Sequence, residues 1–301
     1  MNRRTFIKAS LVTGAAFTIP GIGNPFINSF YAAEKVDLAV AVGPLPESIT
    51  RSAVDALGGM KKFISRGDVV VVKPNIGWDR RAEYAATTNP EVVATVVRLC
   101  YEAGAKRVKV FDRPCTDPRR SYKQSGIADA AEEAGAVVSF LDERKFRDVK
   151  LSGIALKSWP LYTEIFEADK IINIPIAKDH GLSTLTLGMK NWMGVMGGWR
   201  GRIHQRIDES LVDLSLAIRP TLIILDAVRI LTANGPQGGD LSDVKKLDTV
   251  IVGTDQVAVD AYGATLFGLS GKDLGFVVEG AKAGLGQMDL TKLNIERIKI
   301  S

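Results

Sequence analysis

The sequence predicts an α/β protein with a mostly parallel or mixed sheet and helices on both faces, built as one unit or as two closely packed lobes. Strand-like and helix-like segments alternate after residue 33, which is typical of sheets with helical crossovers. Four consecutive valines, Val69–Val72, predict a strand buried on both faces, as in parallel sheets. Asn89, Pro90 and Gly104 supply the cap, first-turn and exit signals of a helix between them.

Strands are predicted where short apolar runs end at polar or turn-forming residues. They cover residues 36–42, 68–73, 108–112, 137–141, 170–176, 222–226, 249–253 and 295–300. Helices are predicted from apolar residues at helical spacing and from end signals such as Gly135, which ends the third helix. They cover residues 48–63, 90–103, 126–134, 203–218 and 255–267, with Thr254 as the cap of the last.

Residues 142–163 are less regular, and two interpretations stay open for them: a lobe boundary or a surface ribbon. The chain has 46% apolar residues, which suffices for one large core. We therefore predict a single α/β domain over residues 34–301, with a lobe boundary near 142–163 as the alternative.

Residues 1–33 have the layout of a twin-arginine export signal. Arg3 and Arg4 precede an aromatic, an aliphatic and a lysine residue, an apolar stretch covers about 9–19, and no acidic residue occurs before Glu34. The apolar stretch is too short for a bilayer, which needs ~20 residues. Residues 31–33 match a cleavage site poorly, so cleavage and retention as a membrane tether stay open. We expect a periplasmic or otherwise extracytoplasmic protein that has the twin-arginine export machinery as a partner.

The charge balance argues against nucleic acid as a partner. The chain has 39 Lys and Arg against 34 Asp and Glu. Three of the basic residues, Arg3, Arg4 and Lys8, lie in the predicted leader, so 36 against 34 remain without it. A nearly neutral chain lacks the global positive charge of a nucleic-acid-binding protein.

Cysteine usage limits the cofactors that the chain can hold. The chain has two cysteines, Cys100 on the apolar face of a predicted helix and Cys115 in a loop. A four-cysteine iron–sulfur cluster is therefore excluded within this chain. A disulfide between the two stays open, because sequence spacing does not show whether their Cβ vectors face each other. The cofactor, if there is one, stays unknown.

Polar residues directly follow several predicted strands. Because ligands of open α/β sheets bind beyond the carboxyl ends of the strands, we predict one shared polar site there. Each residue also has an ordinary explanation, as a snorkelling lysine, a turn former or a helix cap. The residues at these strand ends are Lys73, Asn75, Asp112, Lys178, His180, Asp226 and Asp255.

Residues 178–202 are the densest polar segment. Lys190 and Asn191 stand beside Trp192, and Gly194 allows a close approach of the backbone. Lysines, amides and backbone N–H groups are the donors that an anion needs. The glycine spacing fits neither a P-loop nor a dinucleotide fingerprint. We predict a small anionic ligand. The predicted ligand-binding residues are Lys73, Asn75, Asp112, Lys178, Asn191 and Asp260.

His180 is the candidate acid–base group, because the ordinary pKa of histidine lies near neutral pH. Lys190 and Asp226 complete the candidate catalytic set. Asp260 lies in an apolar helix and is either a buried, paired carboxylate or a residue of the exposed face. No metal ligands are assigned, although His180, His204 and Asp226 leave a two-histidine, one-carboxylate site open.

Several of these segments together carry a family resemblance. They are Val69–Asn75, Asn173–Pro175 followed by Lys178 and His180, Gly188–Gly194, Leu225–Ala227 and Thr254–Ala261. With these motifs the chain resembles the domain-of-unknown-function 362 family over about residues 36–285. The resemblance implies the fold and, since many members are exported, a twin-arginine leader. Some relatives carry a ferredoxin-like module and are called iron–sulfur proteins, but this chain has no such module. The activity of the family is not settled, so no reaction follows from it.

A more distant likeness concerns the N-terminal lobe of nickel-pincer lactate racemase. A Gly-Asp-Val-Val-Val strand at residues 67–71, an Asn-Pro-capped helix and a further strand occur in both. This is an analogy of fold and implies no function.

Three classes of function stay open, and whether the protein is an enzyme stays undecided. The first is an exported enzyme or cofactor-handling protein that acts on a small anion. The second is a non-catalytic accessory or binding protein that serves a periplasmic redox enzyme. Its docking patch would comprise Trp192, Met193, Met196 and Trp199, although core packing explains the same residues. The third is an electron-transfer protein with a metal centre.

Overall fold

A ten-stranded mixed sheet forms the centre of the computed structural model, which describes residues 35–301. The predicted leader lies outside the described residues. The strands are β1 Leu38–Val42, β2 Val69–Pro74, β3 Arg107–Val110, β4 Val137–Val138, β5 Phe146–Lys150, β6 Ser158–Tyr162, β7 Lys170–Ile174, β8 Ile176–His180, β9 Thr184–Thr186, β10 Leu222–Leu231, β11 Val244–Gly253 and β12 Ile295–Lys299.

Eight α-helices occur in the part of the chain that the structure describes. They are α1 Pro46–Ala56, α2 Pro90–Glu102, α3 Pro118–Gln124, α4 Ile127–Glu133, α5 Glu164–Glu167, α6 Ile207–Ala217, α7 Gln256–Thr265 and α8 Gly275–Lys282. Two longer 3₁₀ segments, Lys190–Val195 and Arg200–Arg206, lie near the site discussed below. Over residues 35–301, no helix has the length and apolar character that crossing a bilayer requires.

The strand order places a topological reversal at the centre of the sheet. The main path runs β12-β1-β11-β10-β7-β2-β3-β4, and β2 pairs in parallel with both β3 and β7. From β2 the chain adds β3 and β4 on one side, and it then returns to the other side for β7 and β10. Ligands of open α/β sheets bind in the crevice at such a reversal.

The sheet is buried on both faces, which confirms the predicted fold class. Val70 and Val72 pack into one apolar layer with α1, α2 and α4, whereas Val71 packs into the opposite layer with α6, α7 and α8. Side chains of a strand alternate between faces, so a run of valines is what two covered faces require. Asn89 caps α2 by accepting a 2.9 Å hydrogen bond from the N–H of Glu91.

Several predicted elements differ in detail, and three of the differences have a local cause. The first helix ends at Ala56 rather than at residue 63, because the chain turns at Gly58 and Gly59, both of which have positive φ. Asp255 rather than Thr254 caps α7, through a 2.9 Å hydrogen bond from the N–H of Ala258. Pro175, which has no N–H to donate, divides the predicted strand 170–176 into β7 and β8.

The last strand pair corrects one expectation about the site. β10 and β11 form a long antiparallel pair in which Ile223 lies opposite Gly253. The carboxyl end of β11 therefore lies beside the start of β10, at the opposite edge from the ends of the parallel strands. Asp255, which we expected at the shared polar edge, is not part of it.

Residues 142–163 contain a two-stranded antiparallel ribbon, β5 and β6. A single carboxylate anchors the loop between these strands. Asp213 on α6 accepts hydrogen bonds of 2.9, 2.8 and 2.7 Å from the N–H groups of Ile154, Ala155 and Leu156. The ribbon is thereby attached to a helix of the same compact unit, which spans residues 35–301.

Candidate functional site

A cavity of about 820 Å³ opens at the carboxyl ends of β2 and β3 and beside β8, where the strand order reverses. Four separate segments line it, within residues 73–78, 112–115, 178–204 and 234–237. Seven of the nine predicted site residues lie in its wall. They are Lys73, Asn75, Asp112, Lys178, His180, Lys190 and Asn191.

Lys73 and Asp112 form a buried ion pair across β2 and β3. Lys73 Nζ lies 2.8 Å from Asp112 Oδ1, and the lysine side chain is 0% exposed. Asp112 Oδ2 also accepts a 2.6 Å hydrogen bond from the N–H of Ile76. Burial lowers the pKa of Lys73, and the carboxylate of Asp112 opposes that shift. The charge of Lys73 is thus neutralised by Asp112. We call this buried pair the floor of the cavity, and it offers no free charge to a ligand.

Gly194 lies against this ion pair without room for a side chain. A Cβ atom at Gly194 would overlap Asp112 Oδ1 and Lys73 Nζ. The backbone N–H of Arg113 donates a 2.9 Å hydrogen bond to the Gly194 carbonyl, which holds the two segments together. The close approach of backbone to charge therefore requires glycine here.

Two asparagine side chains connect Lys73 to Lys178. Asn191 Oδ1 accepts hydrogen bonds from Lys73 Nζ at 2.9 Å and from Asn75 Nδ2 at 3.1 Å. Asn191 Nδ2 donates to Asn173 Oδ1 at 2.8 Å. Asn75 Oδ1 in turn accepts a 3.2 Å hydrogen bond from Lys178 Nζ. Asn191 uses its oxygen and both N–H donors inside the protein, and Asn75 uses its oxygen and one N–H donor, so both amides position the cations.

Lys178 presents a cation that has oxygen acceptors but no ion pair among the described residues. Its Nζ donates to Asn75 Oδ1 and, at 2.5 Å, to the carbonyl of Ala86. Burial lowers the pKa of Lys178 to about 8. At neutral pH most of the lysine therefore stays protonated and adds positive charge to the cavity.

Lys190 has the least polar surroundings of the three lysines. Within residues 35–301, the partners of its Nζ are Met193 Sδ at 3.0 Å and His204 Nε2 at 3.4 Å. His204 Nδ1 lies 2.9 Å from the carbonyl of Gly201, so Nδ1 must donate and Nε2 accepts. Burial lowers the pKa of Lys190 to about 7. The amine and ammonium forms of Lys190 are therefore similarly populated near neutral pH.

His180 lies in the cavity wall, but its pKa does not lie near neutral pH, which was the ground for predicting it as the acid–base group. The rings of His180 and His204 stack with centroids 5.6 Å apart. Burial, and then the charge of Lys190, lower the pKa of His180 to about 3, and burial also lowers the pKa of His204. The N–H of Leu182 donates to His180 Nδ1 at 3.1 Å, which leaves the proton on Nε2. His180 is thus a neutral hydrogen-bond donor near pH 7, and its role as an acid–base group stays a prediction.

The charges in the cavity wall do not balance. Asp112 is the one acidic lining residue within the described chain, against five basic residues. The basic residues are Lys73, Arg113, Lys178, Lys190 and Arg200. Arg200 is held by backbone carbonyls, at 2.7 Å from Arg113 O and 2.8 Å from Pro114 O. After the Lys73–Asp112 pair and Arg113, which lies 3.7 Å from Glu143 Oε1, are discounted, the charges of Lys178, Arg200 and, in part, Lys190 remain to face the cavity.

Asp226 and Asp260 are not brought to the cavity. Asp226 Oδ2 accepts a 2.7 Å hydrogen bond from the N–H of Asn89, and Oδ1 accepts one of 3.0 Å from Val228. Asp260 accepts from the N–H groups of Gly188 and Met189. Burial raises the pKa of Asp226 to about 6 and that of Asp260 to about 7, against the opposing effect of these donors. Both carboxylates fix the backbone around the site, and neither lies where a ligand would contact it.

A family model described as a domain of unknown function (DUF362) matches residues 70–265. The chain belongs to this family. The match confirms the predicted family resemblance. The structure shows where the residues of its Lys-Asn-Trp-Met-Gly segment lie. Lys190 and Asn191 face the cavity, Trp192 is buried with its Nε1 2.7 Å from Gln256 Oε1, and Gly194 lies on the ion pair.

One protein of similar sequence, from Synechocystis sp., is a thylakoid-associated protein. It is 33% identical over 210 residues, which are 64% of this chain and 62% of the relative. The chain thus spans less than two thirds of the length of that relative.

Two solved structures of low sequence identity are similar to this chain, and the first of them supports the fold. The lactate racemase apoprotein of Thermoanaerobacterium thermosaccharolyticum superposes with a TM-score of 0.50 at 11% identity, over 77% of this chain and 57% of that one. A protein of Thermotoga maritima gives a TM-score of 0.47 at 13% identity, over 75% of this chain and 60% of that one. The racemase likeness shows a shared α/β fold and nothing about the reaction.

Most of the hydrophobic residues that were candidates for a docking patch are buried in the core. Trp192, Met193 and Met196 are buried, whereas Trp199 is 76% exposed at the mouth of the cavity. The docking patch that we considered for these four residues is therefore not formed as a surface. No cluster of three His, Cys, Asp or Glu side chains suited to a metal ion occurs in residues 35–301, and Asp226 does not join the two histidines.

Both cysteines are free thiols in the structure. Cys100 is buried and burial raises its pKa, whereas Cys115 is exposed in the cavity wall with its Sγ 3.2 Å from Arg200 Nη2.

Sequence reasoning missed two arginines of the site. Arg200 follows the glycine-rich stretch that we singled out, and Arg113 directly follows Asp112, but both could equally have been solvated charges. Their anchoring by backbone carbonyls of distant segments identifies them, and no local pattern encodes such contacts.

Proposed function

We propose that this protein binds a small organic anion in the cavity at the ends of β2, β3 and β8. One observation carries the proposal: the wall holds five basic residues and one acidic residue, and the acidic one is paired with Lys73. Lys178 and Lys190 are buried beside each other's charge without an ion pair among the described residues, and the free-energy cost of this arrangement would be offset by an anionic ligand in the cavity. A volume of about 820 Å³ suits a small molecule rather than a polymer.

Chemistry at the bound anion is assigned to Lys190 and His204 rather than to His180. A general acid–base group works best with a pKa near the working pH, and burial lowers the pKa of Lys190 to about 7. His204 Nε2, an acceptor 3.4 Å from Lys190 Nζ, can take up a proton from it. His180 donates a hydrogen bond from Nε2 to the ligand. Asn75 and Asn191 keep Lys73 and Lys178 in place.

Calorimetric titration of the purified chain with propionate and with inorganic phosphate tests the proposal. We expect one saturable site whose affinity falls as salt rises, since salt screens the attraction between charges. Lys178→Met and Lys190→Met each weaken the binding about tenfold, the order of one lost charged hydrogen bond. Lys123→Met, which removes an exposed lysine outside the cavity, is the matched control. Binding that the two cavity substitutions leave unchanged contradicts the proposal.

We propose further that the protein is exported by the twin-arginine route and acts outside the cytoplasm. The paired Arg3 and Arg4, the short apolar stretch and the absence of acidic residues before Glu34 support this. The thylakoid-associated description of one relative makes a membrane-bound form worth testing. Replacing both arginines with lysine is expected to keep the full-length chain in the cytoplasm, as followed by cell fractionation and immunoblotting. Export of the double-lysine variant at the wild-type level would exclude this route.

A further inference from the structure

The three lysines of the cavity differ in what holds their amino groups. Lys73 Nζ has Asp112 as a counter-ion and two oxygen acceptors, the side chain of Asn191 and the carbonyl of Pro74. Lys178 Nζ has two oxygen acceptors. An ammonium group with oxygen acceptors is stabilised in its protonated form and is not nucleophilic.

Lys190 Nζ, in contrast, contacts a thioether and the acceptor nitrogen of a neutral imidazole. Neither carries a negative charge, and the thioether is a weak acceptor. Burial acts most strongly to lower the pKa of Lys190, the charges of Lys178 and Arg200 lower it further, and Cys115 opposes the shift. A desolvated lysine beside other cations is the environment in which a lysine amine becomes a nucleophile.

We infer that Lys190 is a nucleophile that forms an imine with the carbonyl carbon of a small 2-oxo acid, with His204 Nε2 as the proton acceptor. This inference rests on the proposed anion-binding function. The lysine and arginine side chains near Lys190 supply the positive charge that binds the carboxylate of such an acid, and Lys190 supplies the amine that attacks its carbonyl carbon. Arg200, whose guanidinium is already held by three backbone carbonyls, forms a fixed positive wall beside Lys190.

The step balances without an external oxidant or reductant. The lone pair of Nζ forms a bond to the carbonyl carbon while the C–O double bond opens, and the oxygen becomes a hydroxyl. The C–O bond then breaks, the C–N double bond forms, and the oxygen leaves as one water molecule with the two protons of the amine. His204 Nε2, 3.4 Å from Nζ, accepts the first of these protons and passes it to the oxygen, which becomes the hydroxyl, and it then transfers the second proton to the departing hydroxyl.

Reductive trapping tests the inference. The purified full-length chain is incubated with pyruvate at pH 7, reduced with cyanoborohydride, digested and analysed by mass spectrometry. We expect the reduced pyruvate adduct on Lys190 to form at least about tenfold faster than on any exposed lysine, because exposed amines with ordinary pKa values near 10.4 are almost fully protonated at this pH. Lys190→Arg removes the adduct and keeps the positive charge. Lys123→Arg, at a residue outside the cavity wall that is paired with Asp129, leaves the adduct unchanged.

A second variant tests the role of the imidazole. His204→Asn is expected to slow adduct formation at Lys190 about a hundredfold, the usual effect of a general base, while propionate binding changes by less than tenfold. An unchanged rate removes His204 from the step.

Titration with propionate, which has no reactive carbonyl, separates the two levels of the proposal. Propionate binding without a preferred adduct on Lys190 overturns the imine and leaves the anion site. An adduct that forms first on Lys178 overturns the assignment of the nucleophile. The absence of both propionate binding and the adduct overturns the anion site as well.

Discussion

Asp260 on α7 accepts a 2.7 Å hydrogen bond from the backbone N–H of Gly188, and its second oxygen accepts one of 2.9 Å from Met189. These two residues directly precede Lys190. The buried carboxylate of Asp260 therefore holds the backbone directly before Lys190, and it links α7 to the segment that carries Lys190 in the cavity wall.

Asp260→Asn is expected to lower the free energy of unfolding by about 1–3 kcal/mol, because an amide presents one acceptor where two N–H groups need one each. Urea unfolding measures the change. Asp129→Asn, which breaks an exposed ion pair with Lys123, is the control and is expected to change stability by less than about 1 kcal/mol. An equal effect of both substitutions contradicts the anchoring role of Asp260.

Gly194→Ala tests the close approach to the ion pair. The added methyl group would overlap Asp112 Oδ1 and Lys73 Nζ, so we expect a loss of about 1–3 kcal/mol and weaker propionate binding. Gly181→Ala is a matched control in the same cavity wall, since a Cβ there meets nothing within 4 Å. Thermal unfolding and calorimetry of both variants give the comparison.

Asp112→Asn leaves Lys73 buried without a counter-ion. We expect a loss of about 3–5 kcal/mol, as for other buried pairs that lose one partner. Adding Lys73→Met to Asp112→Asn is expected to recover part of this loss, because the unpaired charge disappears. A double-mutant cycle in urea gives the coupling. If the two losses simply add, the ion pair has no coupling energy and our account of the floor is wrong.

The pKa of Lys190 predicts a pH-dependent stability. Because burial lowers the folded-state pKa to about 7 from the ordinary value of 10.5, the unfolded chain binds more protons between these pH values. The cost of burying the ammonium is therefore fully present below about pH 7 and fades as the pH rises toward 10.5. Lys190→Met should stabilise the protein by a few kcal/mol at about pH 6 and by much less near pH 10. Lys123→Met, measured in the same way, should show no such difference.

Much of the fold follows from local patterns in the sequence. The valine run of β2 and the capped helix α2 are specified by neighbouring residues, and both lie within a residue or two of the predicted bounds. Lys73 and Asp112 lie close together, as the sequence predicts, because strand ends meet at one edge of a parallel sheet. The antiparallel direction of β11 was not encoded locally, and it moved Asp255 to the other edge.

Protonation states were beyond sequence reasoning for a physical reason. The lowered pKa of His180 and the raised pKa of Asp260 both arise from burial, which depends on residues distant in the chain. The same holds for Arg200, whose position is fixed by carbonyls of residues 113 and 114. Residue type indicates what kind of ligand the cavity suits, whereas the protonation state of each residue depends on tertiary contacts.

The cavity wall is assembled from four segments that lie as far apart in the chain as residues 73 and 237. No short fragment of the chain holds enough of the wall to capture an anion, so loading must follow folding. The twin-arginine route that we propose carries folded proteins, so on that route the complete cavity exists before the protein leaves the cytoplasm. The ligand can therefore bind in either compartment, and comparing what is bound to the protein before and after export shows where it is acquired.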